Sequence, residues 1–557
     1  MAFRNNYANM VTERPQSHTR LIRDYDGSNP DFDFIIIGSG IGGGILADDL
    51  ADRVGHDKRI LVLETGSFLY PTHVYNISRI PNFSVANHFG ADCFRPYPLP
   101  GHFIGGTPQM GFGGRSIFWS GLIPQAQDWE IDYFPQSVRD DFSASYFSLA
   151  GERMNESISL GSKAEELVQR FRSSSLNDDF VIEQTPRALH QPYLYPDGTP
   201  RDAFFDEPTG VFNTAELLIN QVGLTPGAPQ EGNGLFIKLN SFVEGVFDVP
   251  FGWHEVRTTN TLDGGQRSFY APQVIVAAGS VESPKLINRS SAYQNFAEPV
   301  RQKVGFGLTD HPVSGESQAY VSSLGGGPAI PLTRHDHAKI IFYSRGLTDA
   351  SGHIDLPFNV EMNINHEYWH LRNNDPSSLP AVDNFAKTRI DLKYSFANCL
   401  DDENGILSRW DDGYTPEIRF RRFSDLDHLL QNRFPKVAGW QKSPQDFFNL
   451  LNATRDRIFG LFNGLETLTG DYGGGFGQQW PFGWGTVHHA CGTLRMPWKA
   501  ARSESSFSDD SVVDENLQVR NAPGLYVCDM SVMPISTAAN PVRSLAALSL
   551  RLSEHLA

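Results

Sequence analysis

Apolar residues follow two different rhythms along this chain. Phe34-Ile35-Ile36-Ile37, Ile60-Leu61-Val62-Leu63 and Val274-Ile275-Val276 are continuous apolar runs, the pattern of strands buried on both faces of a parallel sheet. Phe358 to Ile364 and Ile390 to Phe396 alternate instead, as antiparallel strands do when one face is covered and the other meets water. Helical spacing shows from Ala164 to Arg172 and from Thr214 to Val222. A short apolar strand, Leu525 to Cys528, precedes Asn540-Pro541, which opens an amphipathic helix running to the last residues. Continuous runs near 35, 62, 275 and 527 predict one parallel-sheet domain assembled from 31–90, 230–315 and 480–557. The segments 91–229 and 316–479 then form a substrate domain and covering loops, and residues 1–30 an irregular arm. The glycine-rich break at Gly473-Gly474-Gly475-Phe476-Gly477 ends the alternating region.

The first apolar run gains a purpose from the glycines behind it. Gly38, Gly40 and Gly43 have the G-x-G-x-x-G spacing. The first glycine permits a tight turn, the second lets the backbone approach a pyrophosphate, and the third allows a helix to pack on the strand. That helix, roughly Ile41 to Arg53, aims the positive end of its dipole at the phosphates. The second run ends in Glu64, whose carboxylate can accept hydrogen bonds from ribose hydroxyls and would repel a 2'-phosphate. Taken alone, a glycine turn can be purely structural, and nothing in this segment separates NAD from FAD.

Composition narrows the classes. The 557 residues are long for one core, and 40% hydrophobic content with 39 Phe, 18 Tyr and 9 Trp can fill two. A net charge of −18 and the lack of clustered Lys and Arg exclude a nucleic-acid surface. Cys93, Cys399, Cys491 and Cys528 are widely separated, so neither a disulfide framework nor a zinc site is expected, and no metal is expected elsewhere. No stretch approaches the ~20 apolar residues of a membrane span, and the first thirty residues lack a signal-peptide core. The expected location is the cytoplasm, with no membrane partner.

A second glycine cluster, Gly105-Gly106 and then Gly111-Phe112-Gly113-Gly114-Arg115-Ser116-Ile117-Phe118-Trp119, marks backbone that passes close to something flat or bulky. After Val276 the chain reads Ala277-Ala278-Gly279-Ser280, and Pro284 is expected in the first turn of the next helix.

Together these motifs resemble the glucose-methanol-choline (GMC) family of FAD-dependent oxidoreductases. The matches are Gly38-x-Gly40-x-x-Gly43 with Glu64, the Gly113-Gly114 loop, Val274 to Gly279 with Ser283-Pro284, and Gly305 to Leu308 with Asp310-His311-Pro312. His489-x-x-Gly492-Thr493-x-Arg495-Met496, Val513-Asp514, Asp529-x-Ser531-x-x-Pro534 and Asn540-Pro541 come next, in the family's order. The Gly-Gly-x-Ser-x-x-Trp loop, with Ser116, and the Asn-Pro ending look like the branch of pyranose oxidases and bacterial glycoside oxidases. The resemblance implies an α/β fold with a Rossmann-like FAD domain and an antiparallel-sheet (α+β) substrate domain. It implies that Val243 meets the adenine through its backbone, and that Asp529, Ala278 and Pro541 line the cofactor site. Some relatives link the flavin through a His near the Gly-Gly loop. This chain has Phe118 there, so the FAD is expected to be noncovalent.

The resemblance also assigns chemistry. His489 would act as base for a substrate hydroxyl, a role suited to an imidazole with an ordinary pKa near ~6.5, while His488, its neighbour on a strand, would point the other way. Asn540 is an excellent helix cap in front of Pro541, and in the family this position is the second catalytic one, His or Asn. The implied reaction oxidises a CH–OH group to a carbonyl with hydride passing to the flavin. The first guess for substrate is a secondary hydroxyl of a sugar or glycoside, with oxygen or another acceptor completing the cycle. The alternatives are a lyase or isomerase on the same FAD-containing fold, and an oxidase or dehydrogenase of a non-sugar alcohol. A nicotinamide dehydrogenase is disfavoured, because the C-terminal motifs have no place in it.

Overall fold

The structure is a computed structural model that describes residues 30–55, 57–68, 73, 109–157, 163–190, 211–222, 234–311, 313, 317–333, 336, 338–345, 358–365, 388–408, 416–419, 444–467, 489–499, 505–508 and 510–557. The arm 1–29, Gly105-Gly106, His488, Pro312 and the Gly473–Gly477 break lie outside them.

In chain order the principal strands are β1 (Phe34–Ile37), β2 (Ile60–Leu63), β3 (Phe180–Gln184), β4 (Leu235–Lys238), β5 (Ser241–Val249), β6 (Trp253–Asn260), β7 (Gln266–Ala271), β8 (Gln273–Val276), β9 (Ser317–Val321), β10 (Ala338–Ser344), β11 (Phe358–Ile364), β12 (Thr388–Phe396), β13 (Glu466–Thr467) and β14 (Leu525–Val527). The principal helices are α1 (Ile41–Val54), α2 (Asp128–Ile131), α3 (Ala164–Arg172), α4 (Thr214–Gln221), α5 (Gly279–Asn288) and α6 (Val542–Leu556).

The continuous apolar runs form one parallel sheet in the order β14-β8-β1-β2-β4. Every residue of β1 and β2 is buried, as expected for strands covered on both faces. Helices α1 and α6 pack against each other, so the first and last helices of the chain share one layer. Strands β5, β6 and β7 form a separate antiparallel meander. No described helix is long and apolar enough to cross a membrane.

The alternating segments form a second sheet, β13-β9-β12-β11-β10-β3, antiparallel at every pairing. Here the structure corrects the sequence reading. Phe358, Val360, Met362 and Ile364 occupy one face of β11, and the polar set Asn359, Glu361 and Asn363 occupies the other, yet all seven residues are buried. The polar face is covered by protein rather than by water. Alternation therefore reports two chemically different interiors here, not one interior and one surface.

A second correction concerns Pro284. It lies well inside α5 rather than in its first turn, so the carbonyl of Ser280, four residues earlier, has no helical N–H to accept. The hydroxyl of Thr493 donates to that carbonyl at 2.7 Å. The proline thus ties the helix to the segment that carries His489.

Candidate active site

A cavity of about 560 Å³ opens along the carboxyl ends of the parallel sheet. Glu64 comes directly after β2 and Asp529 shortly after β14, and both line it. They stand three positions apart in the sheet order, roughly 14 Å at ~4.8 Å per strand, which is a dinucleotide's scale rather than a single phosphate's.

The glycine turn is built as its spacing requires. Gly38 has φ +109°, and a Cβ there would sit 2.3 Å from the Ala277 carbonyl oxygen. A Cβ at Gly43 would meet the Gly38 oxygen at 2.1 Å and the Ala277 methyl at 3.0 Å, so this glycine serves the close packing of helix and strand. Gly40 differs, because space is open within 4 Å of its Cβ direction. Helix α1 begins there with no side-chain cap and no acid in its first turn. Its leading N–H groups are unclaimed by side chains and suited to an anion. The turn, the helix end and the acid beyond β2 fit a dinucleotide such as FAD.

Ser39 joins this turn to the second glycine loop. Its hydroxyl donates to Glu64 Oε2 at 2.6 Å and accepts from the Gly113 N–H at 2.9 Å. The Gly66 N–H donates to the other Glu64 oxygen at 2.9 Å. Burial pushes the Glu64 carboxyl up, and these donors oppose that shift. Gly113 and Gly114 take φ +88° and +51°, and a Cβ at Gly114 would lie 3.1 Å from the Gly40 Cα. The bulky neighbour of the second glycine loop is thus the first glycine turn. Ser116 fastens the loop to α4, accepting the Thr214 N–H at 2.9 Å and donating to the Gly113 carbonyl at 2.6 Å.

Ala278, Val243 and Pro541 line the cavity with Gly38, Gly40, Gly114 and Ser116, whereas Gly43 and Gly113 support it from behind. The Val243 carbonyl accepts from Arg289 Nη2 at 3.3 Å. Asp529 is more than a turn acid. It accepts from the Gly279 N–H at 2.9 Å, the Ser283 hydroxyl at 2.5 Å, and the Ser531 N–H and hydroxyl at 2.8 and 2.5 Å. It knots the end of β14 to the start of α5, and burial raises its pKa against these donors.

His489 owes its place to register. Thr309 and Cys491 exchange both backbone hydrogen bonds, at 3.1 and 2.9 Å, as an isolated antiparallel bridge. Two residues on from Thr309 and two before Cys491 come His311 and His489, brought opposite each other. His489 Nδ1 lies 2.7 Å from His311 Nε2, and His311 Nδ1 lies 3.0 Å from the Thr537 carbonyl oxygen. A carbonyl only accepts, so His311 Nδ1 carries a proton. Burial drives the His311 pKa down to about 3, so the ring is neutral and its Nε2 accepts. His489 Nδ1 must then be the donor, which leaves the lone pair of neutral His489 on Nε2. The order follows from the Thr537 carbonyl and from the neutrality that burial imposes on His311.

Beside this pair the buried Asp310 carboxyl is pushed up to about 8 by desolvation, which the His311 and His489 backbone N–H groups and the charges of Arg115 and Lys393 only partly offset. Ligand atoms of Asp310, His311 and His489 lie within 4.8 Å of one another. Both ring nitrogens of His311 are already committed, which disfavours a metal role.

Asn540 lines the same cavity, but not as a helix cap. The cap position belongs to Pro541, whose carbonyl accepts the Leu545 N–H at 3.0 Å, and no side chain caps α6. The expectation of a capping Asn540 is corrected, because the turn enters the helix one residue later. The preceding turn is held by Glu130 on α2, whose Oε1 accepts the Ala538 and Ala539 N–H groups at 2.5 and 3.2 Å. Thr537 in that turn holds His311. One short segment, 537–541, therefore positions both His311 and Asn540. Sequence reasoning gave no role to Glu130, Lys393 or His311, although His311 stood inside the Asp310-His311-Pro312 match.

Residues 480–549 match the family model described as GMC oxidoreductase. No curated protein matches the chain. Among solved structures, the fold resembles pyridoxine 4-oxidase from Mesorbium loti, with TM-score 0.59, 16% identity, and coverage of 94% of this chain and 99% of that one. It also resembles two variants of formate oxidase from Aspergillus oryzae RIB40, each at 14% identity, covering 94% of this chain and 98% of theirs, with TM-scores 0.57 and 0.56. Those two variants address FAD modification in that enzyme. At such identities the likeness is one of fold. The C-terminal match and the shared fold support the GMC family that the motifs resemble, and neither selects a branch within it.

Proposed function

We propose that this chain, a GMC-type oxidoreductase, uses FAD to oxidise the CH–OH group of a small-molecule alcohol to a carbonyl. The observation that carries the reading is the ordered chain from the Thr537 carbonyl through His311 to His489, ending at a cavity that Asn540 also lines. Bound FAD would supply the acceptor for the hydride leaving the carbinol carbon. Everything else falls to residues of this chain.

His489 Nε2 takes the hydroxyl proton. The charge this creates on the imidazole strengthens its donation from Nδ1 to His311, which stays neutral and acts as a fixed acceptor. Asn540 donates an N–H to the substrate oxygen as it gains negative charge, a contribution of about 10²–10³-fold for one well-aimed donor. Glu64, Ser116, Val243, Ala278, Asp529 and Pro541 would hold the cofactor, with Gly40 leaving it room and Gly38, Gly43, Gly113 and Gly114 letting the two glycine turns pack into the cradle. The secondary hydroxyl of a sugar or glycoside remains the first substrate proposed, and oxygen is the acceptor proposed.

The test is an absorbance spectrum of the purified protein followed by an anaerobic panel of alcohols. A flavin spectrum bleached by one alcohol class supports the reading. A colourless protein, or product formed without bleaching, contradicts it.

A further inference from the structure

The covered polar face of the second sheet reaches the cavity at one point. Lys393, on β12, is the residue of that sheet that lines it. Register places Lys393 directly across from Glu361 on β11, on the polar face, and Glu361 is buried. A lysine in that position would ordinarily be expected to pair with its neighbour. It does not: among the described residues no carboxylate lies within ion-pairing distance of its ammonium group, and the residue lines the cavity. Its field reaches both Asp310 and His311, which places it at the His489 side of the cavity rather than beside the glycine turn that suits phosphates.

Resting on the proposed alcohol oxidation, we infer that Lys393 is the anchor for an anionic group on the substrate, so that the chain acts on alcohols carrying a carboxylate or phosphate. Sugar acids and sugar phosphates are the natural members of that class. Three features converge on this. A partly buried ammonium without a counter-ion is costly, and an incoming oxyanion removes that cost. Asp310, the acid that its field reaches, is held largely protonated by its burial and does not neutralise the lysine. The chain as a whole carries a net charge of −18, a field that repels anions, so recognition of one requires a local cation inside the site.

The experiment titrates oxidised holoenzyme with matched pairs of non-oxidisable ligands, acetate against acetamide and benzoate against benzamide, with inorganic phosphate as a further probe. Perturbation of the flavin spectrum reports binding. The parent should prefer the carboxylates, or phosphate if that is the true headgroup. In Lys393→Met the ratio of amide to carboxylate dissociation constants should fall about 30-fold, the lower bound for truncating one member of a buried charge pair, and Lys393→Arg should restore most of it. Because this binding needs no oxidation, it stands apart from failure of the alcohol reaction itself. Equal affinity of the parent for both members of each pair, with no binding of phosphate, would overturn the assignment. So would a Lys393→Met variant that keeps the preference, or one that lowers the flavin midpoint potential and slows neutral and anionic donors alike. That last result would make the lysine a counter-charge for the flavin.

Discussion

His489 donates its Nδ1 proton to His311 Nε2 across 2.7 Å, and His311 passes the demand on to the Thr537 carbonyl at 3.0 Å. The consequence is a single usable tautomer at His489, with its lone pair on Nε2. His311→Leu removes the acceptor and lets the ring populate the wrong tautomer and rotate. Anaerobic flavin reduction should slow at least roughly 10-fold, the lower end of the scale for losing a hydrogen-bond partner that orients a metal-ligating histidine, with FAD content unchanged. A rate equal to the parent's would show that His311 does not orient His489.

Glu130 and Asn540 should behave as one unit. Glu130 accepts from Ala538, Ala539 and Gln127 backbone N–H groups, so Glu130→Ala orphans three donors at about 1–3 kcal/mol each. The thermal midpoint should drop by several degrees. The rate penalty should overlap that of Asn540→Ala, so that the double variant is little slower than the worse single one. Full additivity would mean that the two act independently.

Asn540→Asp tests the donor role alone. Since α6 is not capped by this side chain, the substitution leaves the helix start intact while replacing an N–H donor with a carboxylate. Flavin reduction should fall by at least ~10²-fold, and a near-parent rate would remove Asn540 from the chemistry.

The cradle was legible because Phe34 to Ile37 and Ile60 to Leu63 are apolar at every position, which only a doubly covered strand explains. Phe358 to Ile364 was legible as a strand with the right ends, but not its surroundings, since Asn359, Glu361 and Asn363 read the same in water or under protein. His311 and Glu130 were hidden for another reason. They act on residues 178 and 408 positions away, and no local pattern encodes such a contact. The bridge between Thr309 and Cys491 that aligns the two histidines exists only once the chain has folded. Asn540 misled because Asn-Pro is a good cap wherever the helix begins at the proline, and here it begins one residue later.

Asp310 gives a pH signature. Its folded pKa is raised from 3.8 to about 8, so the native state keeps a proton that the unfolded chain has released. Below about pH 3.8 both states hold it. As pH rises from there to about 8, native stability falls, by at most ~1.4 kcal/mol per pH unit. Asp310→Asn lacks this loss, so its urea midpoint should gain steadily on the parent's across that window. A constant difference between the two would show that the carboxyl titrates normally.

The family resemblance aligns Phe118 with the residue through which some relatives link the flavin, so a noncovalent FAD is expected. Acid or heat precipitation should leave the FAD in the supernatant, and yellow colour staying with the pellet would identify a bond to some other residue.

The most direct measurement is anaerobic rapid mixing of an alcohol that bleaches the parent with His489→Ala carrying its full FAD complement. General base catalysis commonly supplies ~10²–10⁴-fold. Flavin reduction in the variant should therefore be at least ~10²-fold slower than in the parent, and reduction at nearly the parent rate would contradict the assignment of His489 as the base.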